Sequence, residues 1–361
     1  MHMADALISP AVGITMYAAA AGAGAFSVKK LRNEIDDRKI PLMGVMGAFV
    51  FAAQMINFTI PGTGSSGHLG GGILLSIILG PYAGFITMMS ILLIQALFFA
   101  DGGLLALGCN IINMGLFTCF IAYPFIYKKI MKKGFSAKRI YTASILASVA
   151  GLQIGSLGVV IETMISGKTN LPFKTFLFYM QPIHLAIGIV EGLITAAIAG
   201  YVWKVQPDII ENGDTDKATG KVSFKKMIAV IAIAAIITGG ALSWFASSNP
   251  DGLEWSILKT AGTDELEPTD TLHAKALEIQ NNTALFPDYD FRQKEQQDDI
   301  KGSDKTNVNN ADQEKFVVNG GTSVSGLVGG AMTLLFVGVA GAIIRAFKKK
   351  KGIIKNKACE S

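Results

Sequence analysis

The amino-acid sequence has 361 residues, of which half are hydrophobic and only 16% are charged. A soluble domain of this length would be more polar, so the composition indicates a chain that resides in a lipid bilayer. The net charge of +5 comes from Lys and Arg clusters in the loops and carries no nucleic-acid signature. The three cysteines have no CxxC spacing and therefore predict neither a disulfide framework nor a thiolate metal site.

Long apolar stretches recur along the chain. A helix needs roughly 20 apolar residues to cross the ~30 Å hydrocarbon core of a bilayer. The predicted spans are residues 5–28, 41–60, 82–100, 103–127, 140–165, 174–203, 227–246 and 324–346. The run 69–99 exceeds one span, and a proline cannot continue a helix interior, so we predict a break at Gly80-Pro81. With 69–79 as a tilted or re-entrant piece, seven crossings precede the polar stretch 204–226.

Clusters of Lys and Arg predict the orientation of these spans. They occur at residues 29–39, 128–139, 204–226 and 345–357. Short basic loops stay in the cytoplasm, so the chain is predicted to lie in the cell membrane with its N-terminus outside and its C-terminus in the cytoplasm. No basic region precedes the first apolar stretch, so no signal peptide is expected and the mature chain is predicted to begin at Met1.

The predicted fold class is an all-α integral membrane protein with two modules. The predicted divisions are a seven-helix bundle at 1–203, a cytoplasmic linker at 204–226, a two-helix module at 227–350 and a basic cytoplasmic tail at 351–361. The stretch between the last two spans, 247–321, is rich in Asp, Glu, Asn and Gln. Such a composition predicts a solvated and partly flexible extracytoplasmic loop.

Histidine is rare, and His2 holds an unusual position. The amine of Met1, the amide nitrogen of His2 and its imidazole can chelate one cation in adjoining rings, and such donors suit Ni(II), Cu(II) and Co(II). His68 lies in a glycine-dense loop at 61–72 on the same predicted side of the membrane, and its ring could supply a fourth nitrogen. The alternative for His2 alone is a solvated chain terminus.

Two formal nucleotide motifs fail on their context. Residues 62–67 match GxGxxG but join two membrane segments, whereas the dinucleotide fingerprint requires a strand before it and a helix after it. Residues 166–169 (SGKT) imitate the end of a P-loop, but Glu162 stands where its first glycine belongs. Any ATPase that drives this protein is therefore expected in a separate chain.

Further polar side chains lie within or beside the spans. His184 and Glu191 are seven residues apart and share one helix face. Intramembrane ionisable groups satisfy one another or serve a pathway, so we expect a hydrogen-bonded pair or a pathway role. Other candidates for orienting a metal ligand, or for plain hydrogen bonding between helices, are Gln54, Asn57, Asp101, Asn110 and Asn113. His273, in the acidic loop, is expected to be solvated.

Seven short motifs occur in order along the first 203 residues. They are Met-His-Met-Ala-Asp at 1–5, FAAQMINF at 51–58, SSGHLGG at 65–71, LGPY at 79–82, ALFFADGG at 96–103, ALGCN at 106–110 and HLAIGIVEGLIT at 184–195. Together they resemble the CbiM/NikM family, the substrate-binding (S) components of energy-coupling-factor transporters for cobalt and nickel. NPDGLEW at 249–255 resembles the signature of the PDGLE domain, a NikN-like auxiliary module, over 227–350.

The resemblance implies a fold and a site. It implies a seven-span S-component bundle in which the N-terminal segment plugs toward the centre. It implies a square-planar ion held by the Met1 amine, the amide and imidazole of His2, and His68. The family commonly has Ile and Gly where this chain has Met3 and Ala6, which leaves the donors unchanged.

The resemblance also implies a cargo and partners. The cargo would be Ni2+ or Co2+, with no organic cofactor, and nitrogen-only square-planar ligation favours nickel. Transport would require a transmembrane coupling subunit of the CbiQ/NikQ type and a cytoplasmic ATPase of the CbiO/NikO type. The outer loop is hypothesised to promote metal loading or release.

Two other function classes remain open at this point. The first is an ion-coupled secondary transporter or channel that moves a polar solute or cation with the help of Glu162, His184 or Glu191. Dependence on an ATPase partner would distinguish an energy-coupling-factor transporter from this class. The second is an intramembrane enzyme in which Asp101 or Glu191 acts as acid or base, but the sequence offers no nucleophile-and-base pair for it.

Overall fold

The fold is described here from a computed structural model that describes residues 1–211, 213, 222–263, 270–292 and 320–359. The helices are α1 (Pro10–Glu34), α2 (Lys39–Gln54), α3 (Gly72–Leu79), α4 (Pro81–Ile94), α5 (Leu107–Asn110), α6 (Lys128–Met131), α7 (Ala137–Ser166), α8 (Phe173–Val205), α9 (Pro207–Glu211), α10 (Phe224–Gly240), α11 (Gly252–Ala261), α12 (Thr271–Thr283) and α13 (Gly320–Cys359). π-Helical turns at Gln95–Phe99 and Ile111–Tyr127 continue α4 and α5.

Six helices in the described part of the chain are long and apolar enough to cross a membrane. They are Pro10–Glu34, Pro81–Phe98, Leu107–Met131, Ala137–Ser166, Phe173–Val205 and Gly320–Lys348. α2 is apolar but shorter, and α10 ends in a 3-10 turn at Leu242–Phe245. The prediction of a multi-pass helical membrane protein is thereby confirmed, whereas the counts of seven and two spans stay predictions.

The first predicted span begins too early. Residues 1–9 precede α1, which starts at Pro10 behind the N-cap Ser9. Proline at the first helical position is compatible with helix initiation because its missing N–H would be unpaired there anyway. The five residues before α1 that were assigned to the span are instead part of an N-terminal segment that enters the bundle.

The predicted break in the run 69–99 is confirmed. α3 ends at Gly80, whose φ of 82° is a left-handed conformation that favours glycine, and α4 restarts at Pro81. Every residue of the eight-residue α3 is buried. A helix this short is accommodated because it packs against protein on all sides rather than against lipid.

The glycine-dense loop contains an element that the all-α prediction missed. β1 (Phe58–Ile60) and β2 (Ser65–Gly67) form an antiparallel hairpin, with Ile60 opposite Ser65. Gly62 and Gly64 adopt positive φ angles in the turn between them. Short tight turns need such angles, so the glycines that were read as room for close backbone approach also build a hairpin that ends one residue before His68.

The helices α10 and α13 pack against α2 and against each other. Gly239 of α10 and Gly326 of α13 approach closely: a Cβ on Gly326 would lie 2.4 Å from the carbonyl oxygen of Gly239, and one on Gly239 would lie 3.1 Å from the carbonyl carbon of Gly326. Ser323 donates to the carbonyl of Gly240 at 2.6 Å, so the end of α10 meets the start of α13. The two ends of the stretch that connects α10 to α13 therefore lie close together.

The outer loop that was predicted to be solvated contains two helices in its described residues; many of these residues are exposed, but others such as Leu253 and His273 are buried. We call residues 247–263 and 270–292 the covering segment. α11 starts with a capping box in which Asp251 accepts from Leu253 N and Glu254 N, and α12 starts behind Asp270, which accepts from Leu272 N and His273 N. Residues 264–269 and 293–319, like most of the predicted linker (212 and 214–221), lie outside the described residues.

Candidate metal centre

The N-terminal segment lies inside the bundle. Met1 is 5% exposed and Met3 is fully buried. Asn110 accepts from Met3 N at 2.8 Å and donates to Met3 O at 3.3 Å, and Gly103 N also donates to Met3 O at 2.9 Å. Because its backbone groups are paired by the protein, the segment can leave water. The solvated-terminus alternative for His2 is therefore wrong.

The Met1 amine faces two acceptors. It lies 2.6 Å from Nε2 of His68 and 2.7 Å from Oδ2 of Asp251. Nδ1 of His68 lies 3.2 Å from the carbonyl of Leu69, which can only accept, so Nδ1 carries the proton and Nε2 presents its lone pair. A second ring nitrogen fixed in this way is the usual arrangement of a metal-binding imidazole.

The imidazole of His2 stacks on that of His68, with ring centroids 4.9 Å apart and 14° between the planes. Burial is the largest cause that lowers the pKa of His2, to about 4, and this keeps the ring neutral. Nδ1 lies 3.1 Å from Oδ1 of Asp101, while Nε2 is buried with no hydrogen-bond partner. The predicted chelate uses Nδ1, so it requires the ring to turn away from Asp101.

The possible donors come partly from the backbone. In the described part of the chain, no group of three or more His, Cys, Asp and Glu side chains is placed to hold a metal ion. Two nitrogens bound at 90° to a metal through bonds of about 2.0–2.1 Å lie roughly 2.9 Å apart. The 2.6 Å between Met1 N and His68 Nε2 is close to that edge. A metal here would need the terminal amine as well as side chains.

Glu191 holds the loop that carries His68. Its two carboxylate oxygens accept from Gly70 N at 2.8 Å and Gly71 N at 3.2 Å. Gln54 donates to the carbonyl of Gly70 at 2.8 Å and accepts from Gln95. The predicted His184–Glu191 pair is wrong, because Glu191 accepts from the His68 loop and His184 bonds to the carbonyl of Met180 on its own helix.

His184 is more fully buried than His68, with 1% of the residue exposed against 8%. Its Nδ1 donates to the carbonyl of Met180 at 2.7 Å, which leaves the lone pair on Nε2, and Nε2 is buried without a partner. A cavity of about 10 Å³ separates His184 from Met1 and His68. A cavity of this volume is about large enough to hold one water molecule.

The remaining predicted polar residues fall into two groups. Asp101 and Asn110 contact the N-terminal segment as described, and the backbone carbonyl of Asn57 accepts from Ser247 N at 2.7 Å. Asn113 donates to Glu162 at 2.7 Å and to the sulfur of Met3 at 3.8 Å. The first group surrounds the site, whereas Asn113 pairs α7 with the helix that follows α5 and also contacts the N-terminal segment.

The covering segment contributes a carboxylate that the sequence analysis did not select. Oδ2 of Asp251 lies 3.7 Å from His68 Nε2 in addition to its contact with the Met1 amine. Burial would raise the pKa of Asp251, but the ammonium group and His68 hold it well below its ordinary range. The capping-box pattern Asp251-x-x-Glu254 was visible in the sequence, but its proximity to Met1 depends on tertiary packing.

His273 is buried rather than solvated as predicted. Its Nδ1 lies 2.6 Å from Oδ1 of Asp270, and its Nε2 lies 2.8 Å from the carbonyl of Ile8 and 3.0 Å from that of Asp5. Burial lowers its pKa, but the bond to Asp270 and the two carbonyls outweigh burial and raise it. The side chain thereby ties α12 to the N-terminal segment.

A cavity of about 440 Å³ lies between the covering segment and the bundle, next to the stacked histidines. Carboxylates from both sides contribute to its wall: Asp5, Asp101, Asp251, Glu254 and Asp288. Burial raises the pKa of Glu254 and of Asp288, with the neighbouring acid adding to the shift in each case. Such a lining attracts cations toward the site.

Two protein-family models match this chain. A family model described as "Cobalt uptake substrate-specific transmembrane region" (CbiM) matches residues 2–209, and the PDGLE domain model matches residues 225–346. The chain belongs to the CbiM family. It carries a PDGLE domain after the CbiM region, and its resemblance to CbiM/NikM proteins is confirmed.

Relatives of this CbiM-family chain are named as metal transport proteins. It is 35% identical over 241 residues to a fused nickel transport protein NikMN of Archaeoglobus fulgidus, a match that covers 67% of this chain and 77% of that protein. It is 28% identical to the fused nickel transport protein NikMN of Rhodobacter capsulatus, over 58% of this chain and 64% of that one. A solved transition metal transporter superposes with a TM-score of 0.51 at 30% identity, covering 60% of this chain and 99% of its own.

Proposed function

We propose that this nickel/cobalt transport membrane protein is the substrate-specific component of an ATP-driven energy-coupling-factor importer. The ion enters from outside the cell and binds nitrogens of Met1, His2 and His68. Nickel is the preferred cargo, because a planar set of nitrogen donors suits Ni(II) better than Co(II). Two relatives whose names describe them as fused nickel transport proteins support this choice.

The contact between the terminal amine and His68 carries the proposal. A chain terminus is ordinarily frayed and hydrated, yet the Met1 amine is buried 2.6 Å from an imidazole lone pair 67 residues away. The neutral imidazole of His2 lies beside it, with an unpaired buried nitrogen. A cation bound by the amine and by Nε2 of His68 would also bind Nδ1 of His2 once that ring has turned away from Asp101.

Metal binding to the purified chain tests the site. We expect one equivalent of Ni(II), bound more tightly than Co(II), and loss of that binding in His2→Ala, in His68→Ala and in a variant with one alanine added before Met1. A variant with one alanine added after Ser361 is the control and should bind as the parent does. Normal binding by the N-terminally extended variant would show that the amine is no ligand.

Uptake assays separate the proposed importer from an ion-coupled transporter. We expect radioactive nickel to enter proteoliposomes only when a coupling subunit and ATPase subunits are reconstituted with this chain and ATP is supplied. Uptake by this chain alone, abolished by an ionophore that removes the proton or sodium gradient, would instead support the secondary-transporter class.

His184 belongs to the proposed route of the ion through the bundle. Its free Nε2 lies across a small cavity from Met1 and His68, beside the proposed binding site. His184→Leu should therefore keep metal binding within a few-fold and slow uptake in the assembled transporter. Equal loss of binding and uptake would show that His184 acts on the binding site itself.

A further inference from the structure

We propose that Asp251 of the PDGLE domain is itself a metal ligand, supplying an oxygen donor in addition to the nitrogens of the CbiM region. This inference rests on the proposed function, because it assumes that the Met1 amine and His68 bind the metal. It adds a donor of a different chemical class from a different domain. The site would then be complete only when the covering segment is seated on the bundle.

Three atoms define the geometry of this site. Met1 N, His68 Nε2 and Asp251 Oδ2 are separated by 2.6, 2.7 and 3.7 Å. A triangle with these sides has a circumscribed radius of about 1.9 Å, which is slightly less than the metal–nitrogen and metal–oxygen bond lengths of about 2.0–2.2 Å. A single ion slightly out of the plane of the three atoms can therefore bond to all of them without moving any of them.

The carboxylate of Asp251 is held in its orientation by its own helix. Oδ1 accepts from Leu253 N at 2.8 Å and from Glu254 N at 2.9 Å, so it caps α11. Oδ2 takes no part in the cap and points to the amine. One oxygen thus fixes the group while the other is directed at the site, which is the division of roles that a preorganised ligand requires.

The backbone beside Asp251 is tied to the backbone beside His68. Ser66 N donates to the carbonyl of Pro250 at 2.8 Å, and Ser66 Oγ donates to the carbonyl of Asn249 at 2.8 Å. Ser66 lies two residues before His68, and Pro250 lies one residue before Asp251. The β2 strand and the start of α11 therefore present the imidazole and the carboxylate as one unit, although the two residues belong to different domains.

Coordination by Asp251 changes the geometry that a bound ion reports. Four nitrogens alone give planar Ni(II), whose X-ray absorption edge carries a characteristic 1s→4p shoulder. A carboxylate outside that plane adds an oxygen to the first coordination sphere and weakens the shoulder. Oxygen donors also suit Co(II) better than an all-nitrogen plane does, so Asp251 would narrow the difference in affinity between the two ions.

The full-length nickel-loaded chain is compared with Asp251→Ser by X-ray absorption and by equilibrium metal binding. Serine keeps the N-cap but is too short to reach the amine. We expect the shoulder to strengthen, the light-donor shell to lose one oxygen, and the Kd for Ni(II) to rise roughly 10-fold or more, the scale known for groups around metal ligands. Glu278→Gln is the matched control, since it removes an exposed carboxylate of the covering segment that does not line the cavity, and it should bind nickel as the parent does.

Each outcome has a distinct meaning. If Asp251→Ser leaves both the edge and the affinity as in the parent while His68→Ala loses the metal, Asp251 is no ligand and the nitrogen site stands. If the affinity falls but the edge and the donor count are unchanged, Asp251 only positions the amine, and the inference is wrong. If His68→Ala and the N-terminally extended variant bind normally, the proposed function itself fails.

Discussion

The fold favours the charged form of His273 and raises its pKa, because both of its ring nitrogens face acceptors. The carbonyls of Asp5 and Ile8 require Nε2 to donate, and a neutral ring would then turn the Nδ1 lone pair toward the Asp270 carboxylate. Lys168 also contacts Asp270, at 3.0 Å, and does not displace His273. Loss of the Nδ1 proton therefore leaves the Nε2–H bonds to the N-terminal segment in place, but it sets a lone pair against the Asp270 carboxylate and weakens the attachment.

The elevated pKa of His273 predicts a pH dependence. Because the folded-state pKa is raised above the ordinary value of about 6.5, the stability that the charged ring adds to the attachment of α12 is fully present below that value and is lost as the pH rises through the folded-state pKa. The hydrogen-exchange protection factors of residues 5–9, which correct for the intrinsic rise of exchange with pH, should therefore fall between neutral and alkaline pH. A histidine NMR titration of the parent and of Asp270→Asn, which keeps the N-cap, provides the check. An unchanged pKa in Asp270→Asn would contradict this account.

Glu191 gives a second prediction for a single residue. Its carboxylate accepts from two backbone amides beside His68, whereas a glutamine offers one acceptor and turns an NH2 group toward the other amide. Glu191→Gln should weaken metal binding by about 10-fold to 100-fold, as expected for a group that orients a ligand. Glu162→Gln, which alters the intramembrane carboxylate bound to Asn113, is the matched control and should bind metal within about twofold of the parent.

The sequence predicted single residues unevenly. His68 could be selected because histidine is rare and the surrounding glycines indicated close packing, and the structure does bring it to Met1; their binding of a metal stays a prediction. Asp251 and His273 were not selected because their partners lie 250 and 265 residues away. Acidic residues in a polar stretch resemble any solvated surface until the packing that buries them is known.

The close packing of α8 against α7 depends on the spacing of two glycines in α8. Gly188 and Gly192 are four residues apart on α8, and a Cβ at these positions would lie 2.9 Å from Val149 Cα and 2.4 Å from Ile145 Cα. Small residues at this spacing let membrane helices approach closely. Glu191 precedes Gly192, so the approach of the two helices also sets the position of the carboxylate that holds the His68 loop.

A methyl group at Gly192 should therefore act on both stability and binding. Gly192→Ala forces the two backbones apart, and overpacking of this kind costs about 1–3 kcal/mol. We expect a lower Tm in detergent and weaker metal binding. Gly200→Ala on the same helix is the control, because a Cβ there has nothing within 4 Å. Equal melting temperatures for the two variants would show that α7 and α8 can separate at no cost.

At the level of elements, the sequence was most informative where a residue type has one structural meaning. Pro81 fixed the boundary between α3 and α4, and apolar length identified the long helices. The hairpin β1–β2 was missed because its strands have three residues each, too few for a period of two to be recognised. The start of α1 was misplaced because residues 5–9 are apolar enough to extend a span although they fold inward.

On the scale of the whole molecule, the covering segment joins the loops around the candidate site. Trp255 donates to the carbonyl of Thr63, Gln280 to those of Ala96 and Gly102, and Tyr289 to Asp101 at 2.5 Å. The composition predicted a solvated loop here because the segment has few large apolar side chains. The segment instead contacts the bundle mainly through hydrogen bonds of polar side chains.

Removal of this segment gives a prediction for the whole protein. Because the end of α10 meets the start of α13, residues 247–319 can be replaced by a short Gly/Ser linker without moving either helix. We expect the bundle to keep its helix content, the N-terminal eight residues to exchange hydrogen faster, and nickel affinity to fall. A linker of equal composition inserted after Gly213 serves as the control. Unchanged exchange at the N-terminus would show that the bundle alone holds that segment.

The contact between Met1 and Asp251 has a consequence for synthesis. The two residues are separated by 250 positions, and at a translation rate of roughly 5–20 residues per second the carboxylate leaves the ribosome about 13–50 seconds after the amine. The surroundings of Met1 are therefore incomplete until the covering segment has been synthesised. A nascent chain arrested before residue 251 should already hold its first helices in the bilayer, yet would still lack the part of the protein that closes over its own beginning.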